Sequence, residues 1–142
     1  MKTNEQGFIE ELDKNEVFVF GSNLAGLHIG GAAKAAEEKF GAIEGQGWGL
    51  QGQSFAIPTL SHNFRKLPLE MVKAYLENFA QVAEIYMDKV FHLTPIGTGI
   101  AGFSHEEIKS ILPEFSDNVV VDESLKNKNY ESTKRKTKRK QI

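Results

Sequence analysis

The chain contains no cysteine among its 142 residues. This absence excludes a disulfide framework, a thiolate metal site and a cysteine nucleophile. The chain also lacks long apolar runs, so we expect neither a signal peptide nor a membrane span, and a cytoplasmic protein is the default expectation. The four histidines do not have the spacing of metal ligands, so neither a metal nor a cofactor is predicted.

The composition fits one globular domain, because 40% of the residues are hydrophobic and 25% are charged. The charge is unevenly distributed: residues 126–142 carry a net charge of +7, and residues 1–125 carry −9. The basic segment has almost no apolar side chains with which to offset the entropy of ordering. We therefore predict a folded domain over residues 1–125 and a disordered basic tail over residues 126–142. Such a tail binds nucleic acid non-specifically, or serves as a solubilising terminus or a localisation tag.

Apolar periodicity predicts strands alternating with helices. β-branched and aromatic runs predict strands at residues 16–20, 54–58, 90–96 and 118–121. Helical periodicity and capping residues predict helices at residues 32–40, 68–88 and 105–112. Residues 1–15 are polar and are predicted to be loosely held, with Phe8 and Ile9 as the candidates for packing against the body. The alternation indicates an α/β fold with a largely parallel sheet.

Two glycine-rich loops each follow a predicted strand. They cover residues 21–31 (GSNLAGLHIGG) and residues 97–103 (GTGIAGF). Loops after parallel strands meet at the carboxyl edge of the sheet, and glycine lets a backbone N–H approach an anion closely. Ser104 and Glu107 have the spacing of a capping box, so a helix N-terminus is expected to add partial positive charge beside the second loop. One loop alone would suggest only a tight turn, but the two together predict a ligand cleft.

The second loop also has the spacing G-x-G-x-x-G, with Asp122 at a distance suited to a ribose-binding acid. A dinucleotide-binding Rossmann fold is nevertheless disfavoured. The predicted helix begins only after the last glycine, and too few residues follow for the rest of such a sheet. Neither loop is a P-loop, because no Gly-Lys-Ser/Thr follows.

Four segments occur in a characteristic order along residues 16–125. They are Val19-Phe20-Gly21-Ser22-Asn23, Gly30-Gly31-Ala32-Ala33, Phe55-Ala56-Ile57-Pro58-Thr59 and Ile96-Gly97-Thr98-Gly99-Ile100-Ala101-Gly102. This order resembles the macro domain family, nearest in layout to the terminal ADP-ribose protein glycohydrolase type and to small phage and bacterial proteins. The resemblance implies a three-layer α/β/α fold. It also implies a cleft for ADP-ribose or a related nucleotide diphosphate.

The resemblance further implies a set of binding residues. Backbone N–H groups of the second loop and of the Gly30-Gly31 helix start would hold the diphosphate, with Asn23 near the distal ribose and Phe103 beside the sugar or base. The implied ligand-binding residues are Gly21, Ser22, Asn23, Gly30, Gly31, Gly97, Thr98, Gly99, Ile100, Ala101, Gly102 and Phe103. For the family's adenine-contacting acid, Glu10, Glu11 and Asp13 are the candidates.

Two departures from the family pattern bear on catalysis. The nucleophilic lysine after the middle strand is replaced by Leu60, and the acid of the second loop is replaced by Ala101. Leucine cannot form a Schiff base and alanine cannot transfer a proton, so the mechanism of that branch cannot operate here. Other macro domains hydrolyse with an ordered water, and for that alternative Asn23 and His28 are the predicted catalytic residues.

Three functions are therefore expected as alternatives. The first is a module that binds ADP-ribose or a related nucleotide, and the second is an ADP-ribosyl hydrolase. The third is a nucleic-acid-associated protein that acts through its basic tail. Trp48, flanked by Gly47 and Gly49, has two interpretations: a mobile lid over a base, or a core anchor for a flexible loop.

Overall fold

The structure is a computed structural model, and it describes residues 1–126. The strands are β1 (Lys2–Thr3), β2 (Ile9–Glu11), β3 (Glu16–Asn23), β4 (Gly49–Gln51), β5 (Ser54–Leu60), β6 (Val90–Leu93) and β7 (Val119–Val121). The helices are α1 (Gly31–Lys39), α2 (Leu69–Ile85) and α3 (His105–Ile111), and a 3-10 turn covers Glu123–Leu125. Strands β1 and β2 form a separate antiparallel hairpin.

The main sheet has five strands in the order β4-β5-β3-β6-β7. All its pairs are parallel except that of β4 with β5, which is antiparallel. The fold is therefore a three-layer α/β/α arrangement with a largely parallel sheet, which confirms the expected fold class. Strand β5 lies on one side of β3 in the sheet, and the later strand β6 lies on the other side. The direction in which strands are added therefore reverses at β3.

Each face of the sheet has its own hydrophobic core. On one face, α2 and α3 cover alternate strand residues such as Val19, Phe55 and Phe91, which pack with Phe79 of α2. On the other face, α1 and the hairpin cover a smaller cluster that includes Phe18, Phe20, Ala36 and Phe40. The small side chains of α1 permit close packing on this face. The alternation along β3 thus determines which helix each residue meets.

Element boundaries differ from the predictions in several places. Strand β3 continues to Asn23, so the first loop begins later than residue 21, while β6 ends at Leu93 and α2 ends at Ile85. Strand β4, directly after Trp48, was not predicted. The N-terminal segment forms a hairpin over residues 2–11 and is not the loosely held segment that was expected. Ile9 packs against the cluster containing Phe18, as expected, whereas Phe8 is exposed.

Trp48 is a core anchor. Its ring lies edge-on to Phe55 with centroids 5.1 Å apart, and its centroid is 5.4 Å from that of Tyr75 on α2. The side chain packs against the α2 side of the core. These contacts favour the anchor over the interpretation as a mobile lid.

The predicted tail lies outside the described residues, apart from Lys126, whose Nζ is 3.0 Å from Glu123 Oε1. Within residues 1–126, no helix is both long and apolar enough to span a bilayer.

Candidate functional site

A cleft of about 950 Å³ lies at the carboxyl edge of the sheet and extends over the α1 face. Its walls are the loop after β3, the start of α1, the end of β5, the loop after β6 and the β1–β2 turn. The carboxyl edge beside β3 is the point where the winding of the sheet reverses, which is where open α/β sheets bind ligands. The volume is in the range of cofactor and small-molecule sites.

Most of the residues implicated by the sequence line this one cleft. Those that do are Gly21, Ser22, Asn23, Gly30, Gly31, Gly97, Thr98, Gly99, Ile100 and Ala101. His28, Gly102 and Phe103 lie outside the cleft lining. The Phe103 side chain is buried in the α2 and α3 core, so its ring is not placed beside a sugar or base as expected.

The second loop presents several unengaged backbone donors. Its turn is closed by Gly102 N–H donating to Gly99 O at 3.0 Å and by Phe103 N–H donating to Gly97 O at 2.8 Å. Within residues 1–126, the N–H groups of Gly99, Ile100 and Ala101 have no protein acceptor. A hydrogen-bond acceptor on a ligand would satisfy them.

The start of α1 contributes a second set of donors. Gly30 occupies the N-cap without any side-chain hydrogen bond, and the first turn contains no acidic residue. The first N–H groups of a helix are unsatisfied internally and carry partial positive charge. A Cβ built on Gly30 would lie 3.4 Å from Ile100 Cδ1, so the α1 start and the second loop meet at the cleft.

The α3 N-terminus, by contrast, is satisfied by its own residues. Ser104 Oγ accepts from Glu107 N at 3.0 Å, and Glu107 Oε1 accepts from Ser104 N at 2.9 Å, which confirms the predicted capping box. The hydrogen bond from the Ser104 backbone lowers the pKa of Glu107, whose negative charge occupies the helix start. This corrects the expectation that the start of α3 adds partial positive charge beside the second loop. The helix that has free N–H groups near this loop is α1 and not α3.

Asn23 closes the first loop through its side chain. Its Nδ2 donates to Leu27 O at 2.7 Å, and its Oδ1 accepts from Leu27 N at 3.1 Å. Gly26 N–H also donates to Asn23 O at 3.0 Å. Asn23 lines the cleft, but its amide group is engaged in holding the loop, which leaves less of it to orient a water.

His28 does not face the cleft. Its side chain is fully buried, with its ring edge-on to Phe20 and its Nδ1 3.3 Å from Glu37 Oε1 on α1. That contact is within ion-pair distance but lacks hydrogen-bond geometry, and within residues 1–126 neither ring nitrogen has a hydrogen-bond partner. His28 therefore packs between the first loop and α1 and does not take the predicted catalytic position in the cleft.

Leu60 and Ala101, which were expected to replace a catalytic lysine and acid, both line the cleft. Lys66 lies opposite Leu60 in a β-bridge, but its Nζ sits 4.6 Å from the centre of the Phe103 ring and Lys66 does not line the cleft. The structure thus supplies no substitute lysine from this neighbouring segment.

Few charged side chains line the cleft. Among the residues that the structure describes, they are Glu10, Lys39 and Asp122. Of the three acids considered for adenine, only Glu10 lines the cleft. No three His, Asp or Glu side chains within residues 1–126 are grouped so as to hold a metal ion.

Two aromatic residues, Phe8 and Phe64, are among the lining residues that sequence reasoning missed. Both are exposed aromatic side chains at tight turns. The available signal was an aromatic residue directly after polar turn formers, in Gln6-Gly7-Phe8 and His62-Asn63-Phe64. Such a pattern does not reveal which surface the ring faces.

No family model, no curated protein and no solved structure matches this chain.

Proposed function

We propose that the cleft binds a nucleotide diphosphate such as ADP-ribose. The observation that carries this proposal is the convergence of two sets of unengaged N–H groups, one at Gly99 to Ala101 and one at the uncapped start of α1. Such donors bind the oxygens of a phosphate, and the partial charge of a helix start favours an anion there. A diphosphate offers enough acceptors to engage both sets.

The remainder of the cleft suits the sugar and base of a nucleotide. Leu27, Ile29 and Ile100 are exposed apolar side chains that line it beside the phosphate donors. Small-molecule sites commonly combine an apolar lining with a few convergent polar groups. The resemblance to macro domains supports the same placement, since it assigns the diphosphate to these two loops.

Binding without turnover is favoured over hydrolysis. The amide of Asn23 holds the first loop, and the ring of His28 is packed away from the cleft. A loop-ordered water would need a base that faces the ligand. Of the two residues predicted for that role, neither is placed with a free side chain in the cleft.

Isothermal titration calorimetry with ADP-ribose tests the proposal, using Gly99→Glu and its neutral counterpart Gly99→Gln. A Cβ at Gly99 meets no atom within 4 Å, so both side chains can be accommodated without disturbing the fold. The carboxylate introduced by Gly99→Glu would stand beside the diphosphate, and like-charge repulsion should weaken binding by roughly tenfold or more relative to Gly99→Gln.

The glutamine variant separates charge from bulk and should bind more tightly than the glutamate variant at equal thermal stability. Absence of both heat and thermal shift with millimolar ADP-ribose would contradict the proposal. Equal affinities for wild type and Gly99→Glu would contradict the assigned phosphate position.

A second candidate function rests on the charge distribution. Residues 126–142 carry +7 and the rest of the chain carries −9. A polybasic segment binds nucleic acid electrostatically, without reading sequence. This function would operate alongside the cleft, since the walls of the cleft described above come from residues 4–124.

A further inference from the structure

The phenylalanines of this chain fall into two sharply different groups. The chain has ten, and eight of them are at most 4% exposed. The other two are Phe8, at 69% exposure, and Phe64, at 41%. Both line the same cleft. Exposed aromatic surface that collects in a cleft indicates a binding role.

Phe8 is held on a locked turn. Asn4 Oδ1 accepts from the N–H groups of Gln6 at 2.9 Å and Phe8 at 3.0 Å. Asn4 N–H in turn donates to Phe8 O at 2.8 Å. The ring therefore stands on a fixed backbone at the cleft and is not part of a frayed terminus.

Phe64 is held by the same device on another loop. Ser61 Oγ accepts from the N–H groups of Asn63 and Arg65, each at 3.2 Å. Phe64 has φ of +61°, the one non-glycine residue with positive φ within residues 1–126. A bulky side chain rarely adopts that conformation, and strain of this kind collects at functional sites.

Both rings can be placed relative to strand β3. Phe8 adjoins Ile9, which packs on the cluster that contains Phe18 and Phe20. Phe64 follows Leu60 of β5, which pairs with Asn23 at the end of β3. Asn23 lies three to five residues beyond these two phenylalanines, or roughly 10–17 Å at the rise of a β-strand.

The second glycine-rich loop approaches β3 between Phe20 and Asn23. A Cβ built on Gly21 would lie 3.2 Å from Gly97 N at the start of that loop. The second glycine-rich loop therefore meets β3 in the same cleft that both rings line.

We propose that the cleft takes a dinucleoside diphosphate, with one ring system stacked on Phe8 and the other on Phe64. This inference rests on the proposed function, because it places the diphosphate on the same N–H groups. ADP-ribose has one base and would leave one of the two rings without a partner. Glu10 lines the cleft near Phe8 and can accept from the amino group of adenine, so adenine lies at Phe8 and the second ring at Phe64.

Calorimetry on the full chain with NAD+ and ADP-ribose tests this, since the two differ by the nicotinamide ring. Wild type should bind NAD+ on the order of tenfold more tightly, the lower range expected for one base stacked on an aromatic side chain. Phe64→Ala should lose about that factor for NAD+ and remain within about twofold for ADP-ribose. Phe8→Ala should weaken both ligands, and Ile85→Ala, which removes an exposed apolar side chain outside the cleft, should change neither.

Phe64→Gly provides a second readout, on stability. Glycine adopts φ of +61° without strain, so this variant should raise the Tm while it lowers NAD+ affinity as Phe64→Ala does. A ring retained only for packing would instead give a lower Tm in both variants.

The measurements distinguish failure of the dinucleotide inference from failure of the proposed function. If ADP-ribose binds at least as tightly as NAD+ and Phe64→Ala affects the two equally, the dinucleotide inference is overturned and the proposed function stands. If neither ligand binds, both fall.

Discussion

Three polar side chains hold turns that border the cleft. Asn4, Asn23 and Ser61 each make two hydrogen bonds to nearby backbone groups within the turn that they close. A rigid loop presents its donors and rings in one arrangement, which reduces the entropy lost on binding. At the scale of residues, these polar side chains thus order the loops, and in the proposed complex backbone N–H groups and apolar rings make the contacts with the ligand.

Glu16 at the opposite end of β3 makes a testable contribution to stability. Its burial opposes ionisation, but the Asp13 N–H at 2.7 Å and His92 Nε2 at 2.6 Å favour the carboxylate. Together with the terminal amine, these bonds outweigh burial and lower its pKa from 4.5 to about 2. A carboxyl with a depressed pKa stabilises the fold fully above its unfolded value and loses that contribution as pH falls through the folded value.

We therefore expect Glu16→Gln to lower the free energy of unfolding most above pH 4.5. The difference from wild type, on the order of 3 kcal/mol at most, should shrink as pH falls from 4.5 towards 2. Urea unfolding of both proteins at several pH values in that range measures it. A difference that stays constant across the range would show that the carboxylate charge is not the cause.

At the scale of elements, the two helices beside the glycine loops differ in how they begin. Helix α3 has a complete capping box and two acids in its first turn, whereas α1 has neither. Capping and acidic first turns stabilise a helix by satisfying its free donors. Helix α1 lacks that stabilisation, and the proposed ligand would engage its free donors.

Ala32→Glu should therefore raise the stability of the protein and weaken ligand binding. Ala32 lies in the exposed first turn of α1 and lines the cleft. A glutamate there should stabilise the helix by about 0.3–1 kcal/mol through the macrodipole, and should weaken ADP-ribose binding by placing negative charge beside the phosphate. Thermal unfolding and calorimetry measure the two effects, with Ala32→Gln as the neutral control.

The matched change on the other helix is Ser104→Ala. It removes the α3 cap and should cost about 1 kcal/mol of stability with affinity unchanged. Loss of ADP-ribose affinity in Ser104→Ala, or none in Ala32→Glu, would reverse the assignment of the helices.

Local signals explain which elements the sequence could predict. The capping box of α3 and the apolar face of α2 are patterns within one segment, and both helices begin within one residue of the expected start, although α2 ends three residues early. Strand β4 has three residues and includes a glycine, and the hairpin depends on the packing of Ile9 against distant residues. Such elements are stabilised by tertiary contacts, which leave no periodic signal.

The same distinction applies to the cleft. Glycine loops after strands are visible in the sequence, and topology brings them to one edge of the sheet. The burial of His28 and the exposure of Phe64 depend on what surrounds each side chain after folding. Residue type alone suggested a base for the first and nothing for the second.

At the scale of the whole molecule, the cleft has few basic side chains among the described residues that line it. The cleft lies in a part of the chain with a net charge of −9, and its single lining lysine among the described residues is Lys39. An acidic surface disfavours polyanions such as nucleic acid, while backbone N–H groups still donate to a small diphosphate. Any affinity for nucleic acid must therefore come from the basic tail.

Removing residues 127–142 should consequently abolish binding to duplex DNA and leave ADP-ribose affinity within about twofold. The segment carries seven of the eight basic residues of the tail, and the cleft walls described above come from residues 4–124. With about six or seven phosphates neutralised, the full chain should show a log–log salt slope of roughly −5 to −6. Fluorescence anisotropy with labelled duplex at several salt concentrations measures the slope, and the truncated chain retaining DNA affinity would assign that binding to the folded domain instead.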